Sequence, residues 1–218
     1  MHGHGFEVIV HVDRDAATGD SADASDRLAH CWEPLGAELH LACLNDIPGL
    51  ETPTSERLAR WIWNHLRPQL PDLAWVSVYE TATAGCHYDG ATYRIWKDFP
   101  FESAIQLVRA PAGDRRRRLH GHSYLARLQL TAPLDQVMGW TVDYGDVKER
   151  FKPAYEALDH RCLNELAGNE EGDAEQLAHW IRERMEASLP PLDRIELYET
   201  PGCGVVLAWG PPGPALPL

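Results

Sequence analysis

Long apolar runs are absent from this 218-residue chain. No stretch reaches the ~18 residues that a membrane-spanning helix needs, and Met1-His2-Gly3-His4-Gly5-Phe6 has neither the basic nor the apolar part of a signal peptide. A cytoplasmic location is therefore expected, with no membrane partner. Basic residues are also scarce: 20 Lys and Arg stand against 33 Asp and Glu, a net charge of −13. That balance argues against nucleic acid as a partner, because phosphate-rich polymers select basic faces. The four consecutive arginines Arg115–Arg118 are too short a run to reverse it. The 5 cysteines are odd in number and lack any Cys-x-x-Cys pair, which speaks against a disulfide framework or a cysteine zinc knuckle. They are expected to be reduced and mostly buried.

What the chain does have is a repeat. Leu70–Thr81 lies over Leu189–Thr200 at an offset of 119, with 6 of 12 positions identical. The same offset places Glu56, Leu58, Ala59, Trp61 and Ile62 on Glu175, Leu177, Ala178, Trp180 and Ile181, and Cys43-Leu44-Asn45 on Cys162-Leu163-Asn164. His2-Gly3-His4 matches His120-Gly121-His122 at 118. Four blocks in one order indicate a tandem duplication, with modules at 1–98 and 99–218.

Both modules predict the same α+β plan. An alternating run after His-Gly-His (Phe6, Val8, Val10, Val12; Tyr124, Ala126, Leu128, Leu130) has the period of a half-buried strand. Helices are expected at 26–44 and 55–66 in the first module and at 147–158 and 174–189 in the second, followed by strands at 74–81 and 194–200. Strands are also expected at 92–97 and 137–144, a loop at 15–26, turns at 85–90 and 202–204, and an extended tail after Pro211. Antiparallel strands with two helices on one face complete each module. Trp61, Trp63 and Trp180 sit at core-like helical spacing.

The chemistry-bearing residues fall in few places. His120 and His122, two apart on a strand, present their imidazoles on one face, a geometry that suits zinc; His2 and His4 repeat the pattern. Asp159-His160 is a pair in which the acid can fix the imidazole's tautomer for proton transfer. The first module has His40-Leu41 there. Glu80 and Glu199 end equivalent strands, where a carboxylate can accept paired N–H bonds from the amidine-like edge of a pterin or purine.

Together, Leu119-His120-Gly121-His122-Ser123-Tyr124, Gly139–Tyr144 with Lys148, Leu158-Asp159-His160 with Leu163-Asn164, Pro53-Thr54-Ser55-Glu56 and Tyr79-Glu80-Thr81 resemble the 6-pyruvoyltetrahydropterin synthase / 6-carboxytetrahydropterin synthase family. The resemblance covers nearly the whole chain, twice over. It implies tandem tunnelling-fold (T-fold) modules, sheets that join across subunits into a homo-oligomer, and Zn2+ held by three His. It also implies a Cys and an Asp-His dyad that move protons, and a Glu that anchors the pterin. The activity implied is the conversion of 7,8-dihydroneopterin triphosphate to 6-carboxytetrahydropterin, with loss of acetaldehyde and triphosphate, on the way to queuosine. Alternatives are pyruvoyl-type synthase activity and a non-catalytic pterin- or purine-binding T-fold protein. Carried over residue by residue, the dyad is Asp159 and His160. Substrate contacts fall on Thr54, Glu80, Glu199 and, for the triphosphate, Arg116; metal ligands fall on His2, His4, His120 and His122. Ile105 stands where the family has its first zinc His, and Arg116 where it has its Cys. The expectation is a composite site, zinc and pterin held by the first module and the dyad supplied by the second, with a further strand upstream of Met1 carrying the third His and the Cys. Asp143 is expected to brace a helix start.

Overall fold

The computed structural model describes residues 3–13, 21–211 and 213–214. His2, most of the loop expected at 15–26 and the end of the tail lie outside them. The chain forms two units, Met1–Ile95 with Ala132–Thr141, and Trp96–Thr131 with Val142–Leu218.

In the first unit, β1 (Glu7–Val12) is followed by α1 (Ser21–Leu39), α2 (Ser55–Leu66), β2 (Leu73–Thr81) and β3 (Ala84–Tyr88). The strand β2 pairs antiparallel with both β1 and β3, with Val10 opposite Val76 and Val78 opposite Cys86. The strand β4 (Tyr93–Ile105) carries the chain from the first unit into the second. There β5 (His120–Thr131), α3 (Tyr144–Leu158), α4 (Ala174–Met185), β6 (Leu192–Thr200) and β7 (Cys203–Ala208) repeat the plan, with β6 antiparallel to β5 and β7.

In each unit the paired strands have two unlike faces. Leu58, Ala59, Ile62 and Leu66 of α2 are buried with Val76 and Val78 of β2; Leu177, Ala178, Ile181 and Met185 of α4 are buried with Ile195 and Leu197 of β6. Each such aliphatic side chain contributes roughly 1.5–3 kcal/mol on leaving water. The alternate residues of the strands are polar yet buried or half-buried, and they bond to one another. In the first unit Ser77 Oγ lies 2.8 Å from His11 Nε2 and 2.7 Å from His87 Nδ1. In the second, Arg127 forks onto Asp98 at 2.7 and 2.8 Å, while Glu196 accepts from Gln129, Arg194 and Tyr198.

Several expectations need correction. Residues 137–144 form no strand, because Asp135 Oδ1 accepts from the amides of Val137 and Met138 and folds the segment into a turn. Gly139 completes it at φ 84°. Helix α1 begins at Ser21 and stops at Leu39, short of Leu44, since Leu41 adopts φ 56°. The expected turn at 85–90 is largely strand, β3 running through Tyr88, and the expected turn at 202–204 ends one residue in, at Gly202, with Cys203 already in β7. Only Cys31 and Cys86 are buried; Cys43 and Cys203 are exposed and Cys162 is half-buried, all five being free thiols. Trp61 and Trp180 are buried, and Asp143 caps α3 by accepting from the Gly145 amide at 2.6 Å. Among the described residues no helix is long and apolar enough to cross a membrane.

Candidate functional site

The end of α3 creates the most chemically equipped surface of the second unit. Asp159 leaves the helix in extended conformation and His160 follows at φ 56°, a left-handed conformation that costs a non-glycine residue of order 1–3 kcal/mol. Strand β4 holds it there: the His160 amide donates to Glu102 O at 2.6 Å, and the Glu102 amide donates to Asp159 Oδ1 at 3.0 Å. The other carboxylate oxygen of Asp159 lies 2.9 Å from His160 Nδ1. A carboxylate can only accept, so Nδ1 carries the proton and Nε2 faces outward as a base. The Glu102 amide, and then His160, hold the Asp159 carboxyl below its ordinary value.

This pair opens on a cavity of about 510 Å³, lined also by His122, Ser123, Glu102 and Cys162. Ser123 Oγ donates to Glu102 Oε2 at 2.6 Å. His122 places Nδ1 3.9 Å from Glu199 Oε2 at the end of β6. The first unit repeats that arrangement, His4 Nε2 lying 3.8 Å from Glu80 Oε1. Beside the cavity Tyr124 is buried and its phenol is pushed up by desolvation. The structure thus brings Asp159, His160, His122 and Glu199 together in the second unit. Glu102, Ser123 and Cys162 were missed from sequence. Glu102 reads as an ordinary outward residue of an alternating strand, and nothing local announces its pairing with residue 159.

Zinc can be tested against the donors. His120 and His122 do share a face, with ring centroids 5.1 Å apart, and His120 Nδ1 donates to Arg118 O, leaving Nε2 as a lone pair. Ile105, at the position to which the resemblance gives a third imidazole, is an apolar residue 2% exposed. Among the described residues no group of three or more His, Cys, Asp or Glu is arranged to hold a metal. The donors of the second unit therefore do not fit a three-imidazole zinc site, and in the first unit His4 is the described member of its pair.

Two other expected contacts are engaged elsewhere. Arg116 sits on an exposed 3-10 turn and forks onto Asp114, whose carboxyl it holds down at about 2. Thr54 caps α2, accepting from the Arg57 amide and donating to Gly139 O at 2.5 Å. Its neighbour Glu56, 2% exposed, accepts from both the amide and the hydroxyl of Thr141. Both residues hold the turn at 135–141.

The family model for 6-pyruvoyl tetrahydropterin synthase matches residues 1–91 and, separately, 94–208. Over 112 residues the chain is 34% identical to a 6-carboxy-5,6,7,8-tetrahydropterin synthase of Synechocystis sp., covering 49% of this chain and 85% of that protein. It is 32% identical over 112 residues to a dihydroneopterin monophosphate aldolase of Pyrococcus furiosus, covering 50% and 95%. The structure of Caenorhabditis elegans 6-pyruvoyl tetrahydropterin synthase superposes with a TM-score of 0.49 at 18% identity, over 54% of this chain and 95% of that one.

Proposed function

The chain belongs to the 6-pyruvoyl tetrahydropterin synthase family, and from that premise we propose that it is a pterin-processing lyase of the 6-carboxytetrahydropterin synthase type. Its substrate in this reading is 7,8-dihydroneopterin triphosphate, its products are 6-carboxytetrahydropterin, acetaldehyde and triphosphate, and its setting is cytoplasmic 7-deazaguanine (queuosine) synthesis by a homo-oligomer. The observation that carries the reading is the Asp159–His160 pair, fixed by β4 at the mouth of a cavity that His122 also lines. His160, its tautomer set by Asp159, takes a proton from the substrate side chain through Nε2 and returns it. Glu199 and Glu80 are the carboxylates that accept from the amidine-like edge of the pterin ring. Zinc is assigned to His2 and His4 rather than to His120 and His122, and no proton-transfer step above depends on it.

Turnover of 7,8-dihydroneopterin triphosphate by the purified chain, with products identified by mass spectrometry and metal content per chain, tests this. Replacing a general base costs about 10²–10⁴ in rate, so His160→Ala is expected to lose at least 100-fold in kcat with its fold intact. Undiminished turnover in that variant refutes the role. The Pyrococcus relative, nearly as similar, makes aldolase cleavage of the side chain the second reading. Release of a phosphorylated glycolaldehyde, its ester intact, in place of acetaldehyde and free triphosphate would support it, and bound pterin without turnover would point to a binding protein.

A further inference from the structure

The two repeats share a loop that touches its tryptophan in the first unit and stands off it in the second. Loops 47–50 and 166–169 are 119 positions apart and turn in the same way: the Leu50 amide donates to Ile47 O and the Asn169 amide to Leu166 O, both at 2.9 Å. Gly49 lies at φ 90° and Gly168 at φ 89°, and each glycine amide donates to the glutamate two residues on, Glu51 or Glu170, at 2.9 Å. In the first unit this loop packs on α2. Trp61 donates its indole N–H to Pro48 O at 3.1 Å, and a Cβ at Gly49 would meet Trp61 Cδ1 at 3.4 Å. In the second unit the matching indole is Trp180 of α4, and a Cβ at Gly168 would meet nothing within 4 Å. A cavity of about 350 Å³ stands there, lined by Ala167 and Gly168 on the loop and by Gln176 and Trp180 on the helix.

Two polar atoms of the helix wall lack partners. Trp180 is 2% exposed, and its indole N–H is buried without a hydrogen bond among the described residues; so is Gln176 Oε1. Arg184 lies over the Trp180 ring, 3.8 Å from its centre, and helps to fix it. The edge of the indole that meets a loop carbonyl in the first unit borders the cavity in the second. A buried polar group left without a partner is destabilising, so this wall favours a ligand that presents an acceptor to Trp180 and a donor to Gln176. An amide offers both, and an amide carbonyl is what Trp61 already holds.

The remaining lining is acidic. Asp173 caps α4, accepting from the Gln176 amide at 2.7 Å, and Arg109 is drawn to Glu171 at 2.7 Å. Glu175 and Glu183, both exposed, add two carboxylates to the same cavity. Its volume is at the lower end of those that hold small molecules, too little for a folded partner.

We propose that this cavity binds a small organic cation that carries an amide group. The ligand's carbonyl accepts from Trp180, its amide N–H donates to Gln176 Oε1, and its ammonium or guanidinium group lies against Glu175 and Glu183. No residue lines both this cavity and the one at Asp159–His160, so the site stands apart from pterin chemistry.

Isothermal titration calorimetry of the full chain with L-lysinamide tests this, whether or not any pterin is turned over. One site per chain is expected. Hexanamide, which lacks the cation, and cadaverine, which lacks the amide, are each expected to bind at least about tenfold more weakly. Trp180→Phe keeps an aromatic ring and loses the N–H; it should weaken lysinamide binding at least about threefold, whereas Trp61→Phe should leave it unchanged. The double change Glu175→Gln with Glu183→Gln lies on the exposed side of α4 and does not disturb the core. It should also weaken binding at least about threefold, with the far-ultraviolet spectrum of the parent. Absence of saturable binding up to about 10 mM overturns the proposal. So does equal affinity for either control ligand, or binding that the Trp180 and glutamate variants leave unchanged.

Discussion

Removal of Asp98 should be among the most damaging single changes in the second unit. The side chains of Asp98 and Arg127 are 4% and 3% exposed, and the guanidinium meets both carboxylate oxygens. Asp98→Ala leaves a buried cation. The next carboxylate, Glu196, is 3.9 Å from Arg127 Nη1, beyond hydrogen-bond reach, and is already engaged by Arg194 at 2.8 Å. Breaking one side of a buried ion pair typically costs about 3–5 kcal/mol. At roughly 2–4 °C per kcal/mol for a protein of this size, the Tm should fall by about 6–20 °C. Urea unfolding followed by tryptophan fluorescence measures the loss. The companion double change Asp98→Leu with Arg127→Met removes both charges and should recover most of the stability, because well-packed apolar replacements avoid the desolvation that the pair must offset. A loss below about 1 kcal/mol for Asp98→Ala, or a double variant no better than the single one, would refute the argument that this pair is closed off from water.

Glu56 supplies a pH-dependent prediction. Burial is the larger influence and raises its pKa, against the lowering effect of the hydrogen bonds from Thr141 and Ser55. The folded state thus holds the Glu56 proton more tightly than the unfolded one, so its contribution is full below the ordinary carboxyl value and declines as pH rises through the raised one. Glu56→Gln should flatten the stability curve in that window, and a curve parallel to the parent's would count against it. Glu56→Ala, which strands the buried-side amide of Thr141, should cost about 1–3 kcal/mol in the same unfolding assay. Ile105→His puts an imidazole at the position to which the family resemblance gives a zinc ligand and should raise bound zinc per chain in metal analysis; no gain would mean that position 105 does not converge on His120 and His122.

What sequence revealed and what it hid divide along a physical line. Periodicity exposed the paired strands and the apolar faces of α2 and α4, since those depend on residues a few positions apart. The Asp159–His160 pair was legible for the same reason. Glu102 was not, because its role arises from β4 passing the end of α3, 57 residues along the chain. The strand expected at 137–144 failed because of one carboxylate just before it: Asp135 folds two following amides onto itself. Thr54 was read through a family motif as a substrate contact, and the structure gives it and Glu56 backbone to hold at 135–141.

The two repeats keep the same backbone where they keep different chemistry. Leu41 and His160 both stand at φ 56°, each at the close of a helix and each shortly before a cysteine that opens a 3-10 turn. A leucine gains nothing from a left-handed conformation and is 92% exposed there, so its own side chain does not fix it. The conformation belongs to the module, which must turn the chain sharply after its first helix. In the second repeat that turn presents an imidazole beside a carboxylate; in the first it presents His40 and Leu41, which cannot form the same pair. The Asp159–His160 geometry is thus a by-product of a turn that both repeats adopt, and only side-chain identity separates the two ends. Helix starts diverge in the opposite sense: α2 uses its polar residues to bind chain, while α4 leaves the matching positions open.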